Sequence, residues 1–262
     1  MSWPRFLALP LAFLAFGVPA GPAAAGEPRT LAVAASADLR LPLPELVGAF
    51  ELRHPGTKVV PTYAATGVLV DRIEKGTTFD VFLGADHRGA ARLQEAGLAA
   101  SAPFPYAVGK IVLWVSAASR VDPKSKGMRS VVEPAVRKVA IGDPAVSPYG
   151  AAAEQVLRSS SFLDRVKDRL VLGEDVLKVV QLCESGAAQA AIVPWSLALV
   201  PPLAAMGRHV MVPTGSHAPI EQWGVVLKGA ASPDLAAEFE AFVRSPSGRV
   251  VLERYGYGLP PG

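Results

Sequence analysis

Leu31-Ala-Val-Ala-Ala35 is short and apolar at every position, and Ser36-Ala37-Asp38 follows it with a hydroxyl and a carboxylate. A strand of that kind has no polar face to turn to water, which is the habit of a parallel sheet covered by helices on both sides. Leu46, Val47 and Phe50 then recur at i, i+1 and i+4, with Pro44 tolerated in the first turn, so a helix is expected behind the strand. The alternation continues outward. Lys58-Val-Val-Pro-Thr-Tyr63 is strand-like, and Pro61 marks an edge or an end. Thr66 is expected to cap a helix carrying Leu69, Val70 and Ile73, closed at Gly76. Asp80-Val-Phe-Leu-Gly84 is a third strand, with the helix Arg88 to Glu95 behind it. Further strands are expected at 110–115, 138–141, 169–172, 190–193, 209–212 and 222–227, and helices at 151–159, 176–184, 235–243 and 248–254. Strand and helix in alternation imply an α/β protein with a parallel or mixed sheet.

The whole chain of 262 residues has room for one large domain or two ordinary ones. Half of it is hydrophobic (50%) and only 19% is charged, which excludes a disordered chain. The net charge is small, 26 − 23 = +3, and no Lys/Arg run exceeds two residues, so a concentrated basic face for nucleic acid is not expected. Cys183 stands alone, which excludes an intrachain disulfide, a multi-thiolate zinc site and an iron–sulfur cluster. Residues 1–25 read as an address. A basic start ending at Arg5 precedes the uncharged run Phe6 to Val18, and Ala23-x-Ala25 fits a signal peptidase. That run is too short to span a bilayer, so an exported protein cleaved near Ala25 is expected, without a lipid anchor because the leader has no cysteine.

The common catalytic templates are missing: there is no H-E-x-x-H, G-x-S-x-G, P-loop or G-x-G-x-x-G. His54, His87, His209 and His217 are scattered, and Asp86-His87 reads as a helix start rather than an acid–base pair. Cys183, on an apolar helix side with Val179 and Leu182, reads as a buried structural thiol. Glu174-Asp175 reads as a helix cap. An enzyme is not expected, and neither is a resident metal or cofactor.

Four strand-to-helix turns carry a different signal: Ser36-Ala37-Asp38, Ala65-Thr66-Gly67, Ser147-Pro148-Tyr149-Gly150 and Gly173-Glu174-Asp175-Val176. Ligands of open α/β sheets gather at the carboxyl ends of strands, and helix starts present free N–H groups and positive dipole ends to anions. Each turn alone is an ordinary helix start; their recurrence along both halves of the chain is what suggests a site.

Phe79-Asp-Val-Phe-Leu-Gly-Ala-Asp86, Ala140-Ile-Gly-Asp-Pro144 with Pro148-Tyr-Gly150, Gly173-Glu-Asp-Val176 and Arg254-Tyr-Gly256, in this order and spacing, resemble the periplasmic molybdate-binding proteins of molybdate ABC transporters. The resemblance runs from about Thr30 to Leu259. It implies a two-lobed type II periplasmic-binding fold, with two mixed sheets flanked by helices and a ligand cleft between them. Lobe I would use 27–108 plus 213–262 and lobe II 109–212. It further implies capture of molybdate or tungstate by hydroxyl and backbone N–H donors, handover to an ABC-transporter membrane permease, and a monomer.

Carried over by position, Thr66 falls where that family has a serine donating through hydroxyl and N–H, and threonine keeps both donors. Tyr149 and Val176 fall where the family uses backbone N–H alone, so their side chains are expected to matter less. The first-loop serine of the family is matched by Ser36 on local pattern, whereas counting back from Phe50 places Asp38 there. A carboxylate beside a dianion is unfavourable unless it is protonated, turned away or bridged by a cation. Asp38 could turn back to cap the following helix or face the cleft. The family's site-closing tyrosine aligns with Pro194, which offers neither a side-chain donor nor an N–H. The alternatives are a binding protein for sulfate, phosphate or an organic acid, and a secreted hydrolase, for which the nucleophile–base pair is lacking. A ferric-ion site would need adjacent tyrosines; the nearest pair, Tyr255 and Tyr257, lies in the tail, away from the four turns.

Overall fold

The computed structural model describes Met1 and residues 29–260, so the signal peptide read over 1–25 lies, but for Met1, outside the described residues. Among the described residues, ten strands form two sheets. The first contains β1 (Arg29–Ser36), β2 (Thr57–Ala64), β3 (Val81–Gly84), β4 (Phe104–Gly109) and a late strand, β10 (Ile220–Val226). Its order is β2-β1-β3-β10-β4, with β1 parallel to β2 and β3, and β10 antiparallel to β3 and β4. The second contains β5 (Ile111–Ser116), β6 (Val139–Gly142), β7 (Leu170–Gly173), β8 (Ala190–Pro194) and β9 (Gly207–Met211). Its order is β7-β6-β8-β5-β9, the same plan, in which β5 takes the antiparallel place that β10 holds in the first sheet. Lys110 alone separates β4 from β5, and residues 212–219 lead back from β9 to β10. Those two connections join the lobes.

The uniform apolarity of β1 follows from burial on both faces. Leu31, Val33 and Ala35 pack with Phe50 and Phe239 on one side, and Ala34 packs with Leu69, Val70 and Phe82 on the other. The second sheet is layered alike: Leu113, Val115 and Ile141 meet Val156 and Leu157, while Val112, Trp114 and Ala140 meet Val179 and Cys183. A large apolar side chain buried this fully contributes about 1.5–3 kcal/mol. Asp80 fixes the first lobe from within. Its Oδ2 accepts from the Ala32 N–H at 2.5 Å and its Oδ1 from the Ala231 N–H at 2.6 Å, tying β1 to the start of the helix Pro233–Arg244.

Strand β4 is not anticipated by the sequence pattern, because Pro105 interrupts it. The structure accommodates Pro105 on an edge strand, opposite Trp223, where the register with β10 shifts. Pro61 likewise lies in β2, at the other edge. Helix starts are set locally by side chains. Asp86, Ser147 and Asp175 accept from the N–H groups of Gly89, Gly150 and Lys178 at 2.8, 3.2 and 2.9 Å. Among the described residues, no helix is long and apolar enough to cross a membrane.

Candidate functional site

The four turns lie at the carboxyl ends of parallel strands: β1 and β2 in the first sheet, β6 and β7 in the second. The two sheets face each other across them. The N–H of Gly67 donates to the carbonyl of Val146 at 2.9 Å, from one lobe to the other. The 3-10 turn Ala37–Arg40 packs against the helix Val176–Glu184 and the short helix Trp195–Ala198. Ser36, Asp38, Thr66, Tyr149 and Val176 are all buried, none more than 4% exposed.

Side-chain contacts link four of these five residues in pairs, and the fifth, Val176, is brought in by its helix. The Thr66 hydroxyl donates to Ser36 Oγ at 3.4 Å and accepts from the Ala85 N–H at 3.0 Å. Thr66 is therefore not the cap expected of it. Ala65 holds the cap position, and Thr66, inside the first turn, reaches across to the end of β3. The capping geometry for Asp38 is also not adopted, since no side chain caps the helix Pro42–Arg53 that follows, or the 3-10 turn that contains it. Its Oδ2 instead accepts from the Tyr149 hydroxyl at 2.9 Å and from the Tyr257 hydroxyl at 2.7 Å.

Tyr149 thus has a side-chain role that backbone transfer alone misses. Its hydroxyl also accepts from Gln222 Nε2 at 3.1 Å, and Gln222 Oε1 in turn accepts from Tyr106 at 3.1 Å. Gly109 makes this packing possible: a Cβ there would lie 2.2 Å from the Tyr149 hydroxyl oxygen. Tyr257, placed by the sequence reading away from the turns, is folded against the first of them. Its hydroxyl lies 3.0 Å from the Asp38 carbonyl as well, and the Ser196 hydroxyl donates to that carbonyl at 3.4 Å. Pro194 ends β8, and two residues later Ser196 supplies a hydroxyl that the proline cannot. Tyr106, Ser196, Gln222 and Tyr257 are missed by motif reading because nothing local distinguishes them.

Burial pushes the Asp38 carboxyl above the ordinary carboxylate range, partly offset by the hydroxyls of Ser36, Tyr257 and Tyr149. Burial, and then the charge of Asp38, push the phenols of Tyr106, Tyr149 and Tyr257 well above their usual value. These phenols therefore remain protonated donors. A cavity of about 510 Å³ opens between the lobes at the Thr66 end of this cluster, walled by Thr66 and Gly67 from one lobe and Ser147 and Pro148 from the other; of the five residues only Thr66 borders it. Cys183 is buried, and its thiol is pushed up to about 12 by burial and then by Glu184, so it is no nucleophile. His87 begins the helix capped by Asp86 and packs edge-on against Trp223, at 4.5 Å between ring centres. Among the described residues, no group of three or more His, Cys, Asp or Glu could hold a metal ion.

Two α/β lobes of one plan, joined by two connections and meeting at opposed helix-starting turns, define a two-lobed binding protein. The chain belongs to the bacterial extracellular solute-binding protein family, whose model matches residues 31–258. It is a solute-binding protein and not an enzyme. It is 32% identical over 239 residues to the molybdate-binding protein ModA of Azotobacter vinelandii, covering 90% of this chain and 93% of the relative. Identity to ModA of Rhodobacter capsulatus is also 32%, over 237 residues and 90% of each chain. The solved periplasmic molybdate-binding protein of Azotobacter vinelandii superposes with a TM-score of 0.80 at 28% identity, over 88% of this chain and all of that one (100%). The sulfate-binding protein SubI of Mycobacterium tuberculosis shares the fold, with a TM-score of 0.70 at 17% identity over 87% of this chain and 86% of that one.

Proposed function

We propose that this chain is the exported, monomeric binding protein of an ABC importer, cleaved near Ala25, and that it captures molybdate or tungstate between its lobes for a membrane permease. Lobe I is assigned 27–108 plus 213–262, and lobe II 109–212. One observation carries the reading: four helix-starting turns, two from each lobe, converge on one buried place, in a chain 32% identical to two molybdate-binding proteins. Lobe I contributes the hydroxyls of Ser36 and Thr66 and the carboxyl of Asp38. Lobe II contributes the backbone N–H groups of Tyr149 and Val176 at the positive ends of their helices. Donors of that kind hold an anion without a counter-cation, and selection among tetrahedral anions then follows cavity size.

Thermal unfolding in the presence of molybdate, tungstate, sulfate or phosphate, each at one concentration, tests this. A ligand bound by the native state alone stabilises by RT ln(1 + [L]/Kd), about 4 kcal/mol at a thousandfold excess. Molybdate and tungstate are expected to raise the Tm clearly, and sulfate and phosphate to leave it nearly unchanged. A larger rise with sulfate or phosphate would replace the oxyanion. No rise with any of the four would replace the ligand class.

A further inference from the structure

One atom of the site is explained by none of these roles. Asp38 Oδ2 accepts from two phenols, at 2.7 and 2.9 Å, whereas Oδ1 is buried without a protein hydrogen-bond partner. An ionised carboxylate carries its charge equally on both oxygens and needs donors at both. A neutral carboxylic acid is asymmetric: its carbonyl oxygen accepts, and its hydroxyl oxygen carries a proton that needs an acceptor. Apart from the Ser36 hydroxyl, which also favours the charged form, the contacts of Asp38 gather on Oδ2 and leave Oδ1 without a donor, as in that second pattern. The groups facing it are Ser36 at the end of β1, Tyr106 on β4, Tyr149 on the helix Pro148–Ser159, Ser196 on the helix Trp195–Ala198, and Tyr257 in the tail. All are neutral hydroxyl groups, and no Lys, Arg or His is among those that set its ionisation. A dianion brought beside an ionised Asp38 would meet unscreened repulsion, and the same dianion beside the neutral acid would meet a donor.

We propose that Asp38 is a neutral carboxylic acid in the ligand complex, with Oδ2 held by Tyr149 and Tyr257 and the Oδ1 hydrogen donated to the oxyanion, so that binding takes up one proton. This rests on the oxyanion reading and deepens it. Asp38 then supplies a side-chain donor at a site where Pro194 supplies none. Because the carboxyl is buried between the lobes, ligand enters only when they part and Asp38 returns to water, where burial no longer disfavours its charge and a carboxyl is ionised near neutral pH. Closure around the oxyanion draws the proton from solvent. Above the carboxyl's pKa in the open protein, the complex holds one proton that the free protein lacks. Affinity therefore rises by about tenfold for each pH unit lowered, and the gain disappears once pH exceeds the carboxyl's pKa in the complex.

The experiment is calorimetric titration of the mature protein with molybdate and with tungstate, between about pH 6 and 8, in paired buffers of different ionisation enthalpy. Wild type is expected to take up close to one proton per ligand, with the slope just given. In Asp38→Asn the amide oxygen still accepts from both phenols and the amide N–H donates without titrating. That variant is expected to bind with a pH-independent affinity, tighter than wild type at the upper end of the range, and to take up no proton. Circular dichroism of the variant checks its folding, and the wild-type proton count stands without it. Tight binding with no proton uptake would overturn the proposal alone, as would a pH slope that persists in the Asn variant. Two further results would overturn it: loss of binding in Asp38→Asn with strengthening of wild type by divalent cations, and tightest binding of hydrogen phosphate without uptake. If wild type binds none of the oxyanions, the proposed function falls and this inference with it.

Discussion

Tyr149→Phe removes one oxygen from a fully buried chain of hydrogen bonds that runs from Gln222 through Tyr149 to Asp38. Phenylalanine keeps the ring and its packing, so the cost is polar. The Asp38 carboxyl loses a donor at 2.9 Å but keeps Tyr257 at 2.7 Å. A hydrogen bond to a charged group is worth about 1.5–3 kcal/mol, and to a neutral one about 0.5–1.5. Gln222 Nε2 loses its acceptor at 3.1 Å, and leaving a buried donor unsatisfied costs about 1–3 kcal/mol. With partial relaxation the sum is about 2–4 kcal/mol. Urea unfolding in saturating molybdate, followed by circular dichroism, should show it as a fall in midpoint of roughly 1 M, given a slope of about 2–3 kcal/mol per molar. An unchanged midpoint would refute the reasoning, because it would mean that the Asp38–Tyr149 contact does not hold the lobes together in the closed protein.

Gly109→Ala places a Cβ 2.2 Å from the Tyr149 hydroxyl oxygen and 3.0 Å from Gln222 Nε2, both pinned by their partners. It should destabilise by about 1–3 kcal/mol in the same assay and weaken oxyanion binding measured by calorimetry. Thr66→Ala strands the buried Ala85 N–H and should cost about 1–3 kcal/mol of unfolding free energy, whereas Thr66→Ser keeps the acceptor and should cost far less. Cys183, with its thiol pushed up to about 12 and buried, should resist a thiol reagent in the native state near neutral pH and react once urea unfolds the chain.

What the sequence determined by itself is whatever depends on neighbours within a few residues. An apolar run at 31–35 can only be a strand covered on both faces, and β1 is one. Asp86, Ser147 and Asp175 cap the helices that follow because the N–H groups they need lie three residues ahead. Pro61 reads as an edge because it cannot donate to a ladder, and β2 is an edge. Pro105 carries the same signal and hides β4, since only the partner strand can supply the register shift that accommodates it. The surroundings of Asp38 lie beyond any local rule. Its two phenol partners are 111 and 219 residues away, one across the interlobe contact and the other in a tail that returns to the first lobe. Hydroxyls so far apart carry no periodicity or spacing that could announce them. They meet because β10 leaves the second lobe to pair inside the first sheet, bringing Gln222 and the C-terminal segment back beside β1 and β4. Sheet order thus decides whether a carboxyl at the end of β1 faces water, a helix N–H or two phenols, and sheet order is a property of the assembled chain.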